Sequence, residues 1–246
     1  KSDQPQNLLI HYDFSKTSES TVPDTSGNGH DATLHNEATI YSMGKYQVLN
    51  LGNGMGYLDM GAKAGQTFAS NNDFTISMYY RIHESASLDG NGRFLWTFST
   101  LESNEATNGL YSGYRLNAQR FATSTGGYNN EHGMEIGAQS CRGRWMHVAY
   151  TQTNQVGKFF INGIERMTND DMPINTNNWV TNPLYNWIGR AAFSWDNYLV
   201  NTLVYDIRFY KSVLTPQEIS DLAELTYDLD NEYIFGNEGD RAEFNQ

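Results

Sequence analysis

The sequence predicts an all-β fold, and three observations carry that prediction. The 246 residues include 16 Tyr, 12 Phe, 5 Trp and 22 Gly against only 5 Pro. Aromatic and β-branched side chains suit a pleated surface, while Gly and Asn supply the turns between strands. Next, Phe74–Ile82 alternates with period two: Phe74, Ile76, Met78, Tyr80 and Ile82 against Thr75, Ser77, Tyr79 and Arg81. A helix would repeat its apolar residues at three and four instead. Finally, Asn162–Gly163 splits Lys158–Met167 into a hairpin, because both positions of a two-residue turn want positive φ. A single all-β domain reaches roughly 200–250 residues. At this size the chain buries about 70–75% of its unfolded surface and needs no disulfide or metal to form a core.

Along the chain, residues 1–7 read as a polar tail. The core begins with the apolar-rich LLIHYDF at Leu8, and a turn-rich loop runs from Ser15 to Asp31. Short strands are expected near Ile40, over Val48–Leu51 and over Gly56–Met60. After Phe74–Ile82, strands follow at Phe94–Ser99, Gly109–Leu116, near Met134–Ile136, from Trp145, and at Leu184–Arg190. The last is Thr202–Tyr210, with Leu203, Tyr205, Ile207 and Phe209 expected on one face and Val204, Asp206, Arg208 and Tyr210 on the other.

One short C-terminal helix is well signalled. Thr215 caps it, Pro216 takes the first helical position, and Glu218 completes a capping box. Leu214 and Ile219 are spaced as a hydrophobic staple, and the helix is expected to end near Glu224. The acidic stretch 226–246 lacks clean periodicity and reads as a peripheral extension or the start of a linker.

With 28 acids against 16 bases the formal charge is −12. A field of that sign repels phosphate backbones and anionic lipid, which argues against nucleic-acid and membrane-surface roles. No apolar run approaches the ~20 residues of a membrane helix, so membrane insertion is not expected. The one cysteine, Cys141, rules out an internal disulfide and a Cys-based zinc site. The polar start KSDQPQN reads as a mature N-terminus after processing, and so predicts a secreted, periplasmic or cell-surface location.

Four segments, in order, carry a family resemblance. These are LLIHYDFSKTSESTVPDTSGNGHDATL, FTISMYYRI, RWMHVAYTQTNQVGKFFINGIERM and WIGRAAFSWDNYLVNTLVYDIRFYKSVLTPQEISDL. Together they resemble the first strand and D-x-S-G-N-G loop, the "FTISAWV" strand, the "WHHVAVTYD…LYVNG" hairpin and the closing strand and helix of bacterial laminin-G-like jelly rolls. That family belongs to the concanavalin A-like lectin/glucanase group. The resemblance spans Leu8 to about Leu225 and implies a two-sheet antiparallel β-sandwich whose first and last strands are adjacent. Such a sheet pair needs the alternation read above, because each strand buries one face.

Three constellations bear on chemistry. In the family, the loop Asp24–Asp31 often helps to form a structural calcium site. Carried over, Asp24 is the loop acid, Asn28 the loop amide, and Gly27 and His30 offer backbone oxygens. From the closing strand only Asp206 is acidic, since Tyr205 takes the place of the family's first acid, and Asp13 is a substitute. Calcium accepts six to eight oxygen ligands at flexible angles. The alternative is an Asx turn in which Asp24 and Asn28 bond their own backbone.

The second constellation is a sugar-binding surface. Its candidates are Trp195, Asn197 and Tyr198 in the loop after Arg190, Trp179 in the Asn-rich NTNNWVTN loop, and Tyr79 and Arg81 on the polar side of their strand. Trp145 and Trp187 lie inside strand motifs and read as core.

The third is catalysis. Hydrolases of the group place carboxylates as E-x-D-x-E or E-x-D-x-x-E on one strand, about 5 Å apart for retention. No strand here has that spacing; Glu131 and Glu135 lack an intervening Asp, and His147 reads as a packed strand histidine.

The resemblance therefore implies a non-catalytic, lectin-like carbohydrate-binding module of a secreted or surface bacterial polysaccharide-degrading protein. It would bind an oligo- or polysaccharide and could be the accessory domain of a glycoside hydrolase, with a catalytic domain appended. Two other readings stand beside it: a glycoside hydrolase or lyase acting through an unrecognised acid pair, and an adhesion or protein-interaction module. Fold analogy alone does not choose among these.

Overall fold

The computed structural model describes residues 7–69, 71–100, 108–137, 141–174 and 185–236. The first half contains β1 (Leu8–Tyr12), β2 (Thr21–Val22), β3 (Ala32–His35), β4 (Thr39–Met43), β5 (Tyr46–Asn50), β6 (Tyr57–Asp59), helix α1 (Gly61–Ala69), β7 (Asp73–Ile82) and β8 (Phe94–Ser99). There follow β9 (Asn108–Arg115), β10 (Ala118–Thr125), β11 (Glu131–Gly137), β12 (Trp145–Thr153), β13 (Val156–Ile161), β14 (Ile164–Asn169), β15 (Tyr185–Ile188) and β16 (Thr202–Tyr210). The chain closes with α2 (Pro216–Leu222), α3 (Thr226–Asn231) and a π-turn at Glu232–Gly236.

Among the described residues the strands form two eight-stranded antiparallel sheets. The back sheet runs β14-β13-β12-β7-β16-β5-β4, with β1 also on β16; the front sheet runs β11-β10-β9-β8-β15-β6-β3-β2. First and last strands are adjacent, with Leu8 opposite Tyr210 and Tyr12 opposite Ile207. The main core lies between the sheets. Phe74, Ile76, Met78, Tyr80 and Ile82 of β7 meet Leu95, Trp96, Phe98, Leu110 and Phe121 of the front sheet. Each such side chain contributes roughly 1.5–3 kcal/mol on leaving water. Cys141 is buried at this core, and burial pushes its thiol pKa up.

Several turns are built as their residues require. Asn162 and Gly163 both take positive φ in the β13–β14 hairpin. The Thr215 hydroxyl accepts from Glu218 N, while the Glu218 carboxylate accepts from Thr215 N at 2.7 Å. Leu214 and Ile219 are buried together against the back sheet.

Three features depart from the expectations. In β16, Asp206 adopts φ 53° at a bulge between Tyr205 and Arg208, which resets the alternation. Val204, Ile207 and Phe209 consequently face the main core, while Leu203, Tyr205 and Tyr210 join clusters on the outer side of the back sheet. Strands β2, β3 and β10 and helix α1 were not anticipated. The Leu116–Asn117 turn before β10 has positive φ at both positions without a glycine, so the usual punctuation is missing.

The third departure is residues 226–236. This stretch is helical and buries Leu229 and Tyr233 against Tyr41, Met43, Val48, Tyr79, Trp145 and Leu203. Its acids are anchored. Asp228 accepts from the Tyr46 hydroxyl and pairs with Lys45 Nζ at 2.8 Å, and Asp230 accepts from Trp145 N at 2.8 Å. Together α2, α3 and the π-turn form a strap over the back sheet.

Candidate functional site

The strap removes one face of the sandwich from contention. Tyr79 and Arg81, expected to face a ligand, lie beneath it instead. The Tyr79 hydroxyl donates to Leu222 O and accepts from Leu225 N at 3.1 Å. Arg81 is 4% exposed, with its guanidinium carbon 3.6 Å from the Tyr233 ring centroid. The polar side of β7 is thus an interior surface, because a later part of the chain covers it. His147 is likewise buried there, against Tyr79, and burial lowers its pKa to about 3, so it is a neutral packed imidazole.

The front sheet is covered differently. The loop from Gly189 to Asn201 crosses its outer face and divides it in two. On one side, Phe193 fills a hollow over β8–β10. Its ring stands edge-on to Phe94 and Tyr111, at 6.4 and 5.8 Å, and those two rings stack at 5.3 Å. Gly113 makes this possible, because a Cβ there would lie 2.5 Å from the Phe94 ring. Trp195 extends the cluster outward, near-parallel to Phe193 at 6.1 Å and edge-on to Tyr128 at 6.4 Å. The Trp195 side chain is half exposed, at 51%.

Beside these rings opens a cleft of about 340 Å³, lined by Phe94, Tyr111, Arg115, Arg120, Tyr128, Glu131, Trp195 and Asp196 among others. Glu131 is held by two neighbours across the strands: it accepts from the Tyr111 hydroxyl at 2.9 Å and from Arg120 Nη2 at 2.8 Å. Arg120 also reaches Glu135 at 3.5 Å. Asp196 differs. Burial, then the nearby Glu131 charge, raise its carboxyl pKa to about 6 against the opposing pull of Arg115 and Trp195. Its Oδ1 is buried without a hydrogen-bond partner. An apolar wall with a few convergent polar groups is the usual form of a small-ligand site.

On the other side of the loop, Arg190 stacks over Trp187 at 4.0 Å and Tyr57 at 4.9 Å, and His35 stacks on Tyr57 at 4.7 Å. Tyr198 belongs to this second cluster, 6.2 Å from Tyr57. Asn197 lies between the two, with Nδ2 donating to Asn91 O at 3.1 Å. Of the sugar-binding candidates, Trp195 therefore lines the cleft, Asn197 and Tyr198 flank it, and Trp179 lies outside the described residues.

The Asp24–Asp31 loop is organised by hydrogen bonds. Asp24 Oδ1 accepts from His11 N and Ser26 N, and its Oδ2 from His30 N. Asn28 Nδ2 donates to Leu8 O and Leu9 O, while the His30 carbonyl accepts from the Tyr12 hydroxyl. Gly27, at φ 86°, makes the turn. Asp206 sits 2.5 Å from His11 Nε2 and is paired with Arg208 at 3.0 Å; Asp13 accepts from Ser15. Among the described residues, no three His, Cys, Asp or Glu side chains converge as ligands for a metal ion. Backbone donors and the chain's own cations engage the carboxylates of the expected calcium set, and Asp24 bonds the backbone of its own loop as in an Asx turn.

Residues 53–220, more than half of the chain, match the laminin-G-type family model described as the concanavalin A-like lectin/glucanases superfamily. The chain belongs to that superfamily. Among solved structures, this concanavalin A-like chain superposes on domain 4 of AbnA, a GH43 extracellular arabinanase from Geobacillus stearothermophilus, in complex with arabinotriose. The TM-score is 0.61 at 21% identity, over 89% of this chain and 98% of that one. It also superposes on the botulinum neurotoxin serotype D binding domain, with TM-score 0.66, 14% identity, and 89% and 51% coverage. The botulinum neurotoxin DC binding domain in complex with SialylT gives 0.65, 15%, and 91% and 52%. The chain spans about half the length of these toxin binding domains. No curated protein matches it in sequence. At such identities the likeness shows the shared fold.

Most of the cleft escaped sequence reasoning. Phe94, Tyr111, Arg115, Arg120, Tyr128, Phe193 and Asp196 come from five separate segments, and it is largely strand pairing that joins them. One signal was available: FSW followed by DN in the Arg190 loop sets two aromatics and an acid in a polar stretch, and only part of it was used.

Proposed function

We propose that this chain is a non-catalytic carbohydrate-binding domain that holds a sugar in the front-sheet cleft. The observation that carries this reading is Trp195: a half-exposed indole, backed by Phe193 and edged by Tyr128, at the mouth of a cleft containing Asp196, Glu131 and Arg115. Sugars offer an apolar ring face to an aromatic and hydroxyls to charged side chains, and a rigid indole meets the first need at low entropic cost. The arabinotriose bound to the arabinanase domain and the SialylT bound to the toxin domain support the reading by analogy of fold. The absence of an E-x-D-x-E or E-x-D-x-x-E strand pattern supports a binding rather than a catalytic role. The same reading places the domain in a secreted or surface bacterial polysaccharide-degrading protein, as an accessory to a glycoside hydrolase.

Calorimetric titration with neutral and acidic oligosaccharides, run on the wild type and on Trp195→Ala, tests the reading. Saturable binding that the substitution abolishes is expected. Retention of no glycan, together with capture of a protein ligand insensitive to free sugars, would favour the adhesion alternative.

A further inference from the structure

We infer that Asp196 selects the ligand: its carboxylate accepts the hydroxyl hydrogens of an uncharged sugar ring stacked on Trp195, so that the cleft takes neutral oligosaccharides and disfavours uronates and sulfated sugars. This rests on the carbohydrate reading above and deepens it. Three independent features of the cleft lead there.

First, Asp196 is preorganised. Its N–H donates to Phe193 O at 3.1 Å, closing the turn that presents Trp195. The next residue is bridged to the loop before β8, with Arg93 N donating to Asn197 O at 2.7 Å and Asn197 N to Asn91 O at 3.3 Å. Gly92 is required for that approach, since a Cβ there would sit 2.4 Å from Asn197 N. The backbone that carries the carboxylate is therefore fixed before a ligand arrives, and binding loses little backbone freedom.

Second, Asp196 Oδ1 is buried without a partner while it lines the cleft. Buried polar atoms in native proteins are almost always satisfied, and an exception calls for an explanation. A sugar hydroxyl provides one, because it donates to a carboxylate oxygen without bringing a charge of its own.

Third, the charges facing the site disfavour an anion. Glu131 on β11 stands nearby, and Arg120 on β10 is occupied by Glu131 and Glu135. Among the described residues, Arg115, at the end of β9, is the cation that offsets Asp196, helped by a hydrogen bond from Trp195. Counting Glu135 beside Arg120, three acids (Asp196, Glu131 and Glu135) stand here against two cations (Arg115 and Arg120), and a ligand carboxylate or sulfate would add to that surplus. A vicinal diol meets acceptors.

A pH signature follows. Burial and Glu131 hold the Asp196 carboxyl near 6. Hydroxyls donate better to the ionised form, so affinity for neutral sugar weakens as pH falls through that value.

The test is calorimetric titration of arabinotriose and a panel of neutral trisaccharides against trigalacturonate, above and below pH ~6, with thermal melts at each pH to confirm folding. The wild type is expected to bind one or more neutral sugars at least about 10-fold more tightly than the uronate, with affinity falling on acidification. Asp196→Ala should lose about 10- to 100-fold, the scale of a hydrogen bond to a charged group. The isosteric Asp196→Asn should flatten the pH dependence. If Asp196→Ala and Asp196→Asn keep wild-type affinity and pH profile while Trp195→Ala loses binding, the inference fails and the carbohydrate reading stands. Tighter binding of the uronate also overturns the inference alone. No binding of any sugar by the wild type sinks both.

Discussion

The guanidinium of Arg81 lies over the Tyr233 ring, 3.6 Å from its centroid, which locks the C-terminal strap onto β7 of the back sheet. Cation–π contacts of this kind strengthen when desolvated, and here the arginine is 4% exposed. Tyr233→Ala removes the ring and opens a gap beside Leu229 and Trp145. A loss of about 3 kcal/mol is expected by analogy with other large-to-small aromatic truncations. Urea unfolding checks it; an unchanged midpoint would mean that the strap is dispensable.

Within the aromatic cluster, neighbouring residues should separate binding from stability. Phe193 is 5% exposed and Trp195 51%. Trp195→Ala should abolish sugar binding and leave the melting temperature nearly unchanged. Phe193→Ala should lower stability by about 3 kcal/mol and also impair binding, because it removes the support of the indole. Equal destabilisation by both would show that Trp195 is a packing residue.

Asp196 predicts a stability effect in the unliganded protein. Its folded-state pKa, near 6, lies above the ordinary carboxylate value. A group shifted upward contributes stability that is complete below its unfolded pKa and lost as pH rises through the folded one. Asp196→Asn should therefore melt higher than wild type at pH ~7.5 and show no advantage near pH ~4. Differential scanning calorimetry at the two pH values decides the matter. A site more stable without its acid is one held for function.

Asp206 carries the opposite sign. Burial alone would raise its carboxyl pKa, but the hydrogen bond from His11 and the charge of Arg208 outweigh it and hold the pKa below the usual range. That stability is fully present above the unfolded value, about pH 4, and is lost as pH falls through the folded one. Asp206→Asn removes the carboxylate charge that Arg208 and His11 face and should cost about 3 kcal/mol at pH 7. The difference from wild type should shrink below pH ~3, as followed by urea unfolding in acid.

Calcium gives a further check. The carboxylate oxygens of Asp24 accept backbone N–H groups, and Asp206 is paired with Arg208. Chelator treatment should leave the melting temperature unchanged. A calcium-dependent rise, abolished by Asp24→Asn, would show that the loop takes up a cation.

The layered fold was legible wherever one strand face met the core without interruption. Phe74–Ile82 alternates because each second residue enters the inter-sheet space, and Asn162–Gly163 and Thr215–Glu218 announce a turn and a cap by local chemistry alone. Reading failed where distant contacts override the local pattern. Asp206 takes a left-handed conformation that its neighbours do not signal, so Leu203 and Tyr205 face away from the core that Ile207 and Phe209 enter. The acidic stretch from residue 226 read as a peripheral extension or the start of a linker, yet Asp228 and Asp230 serve Tyr46 and Trp145, more than 80 residues away. The cleft was hidden for the same reason: Arg120 meets Glu131 only because β10 and β11 pair.

Strand β16 borders β7 along one edge and shares the other between β5 and β1. The centre of the back sheet is thus the last strand to leave the ribosome. Until Thr202–Tyr210 emerges, β1, β5 and β7 each lack their neighbour and expose unpaired ladder groups. Pairings this far apart in sequence form slowly. The nascent sandwich therefore stays open to misassociation until residue 210 has emerged, and fragments that end before residue 202 have no route to the native layer.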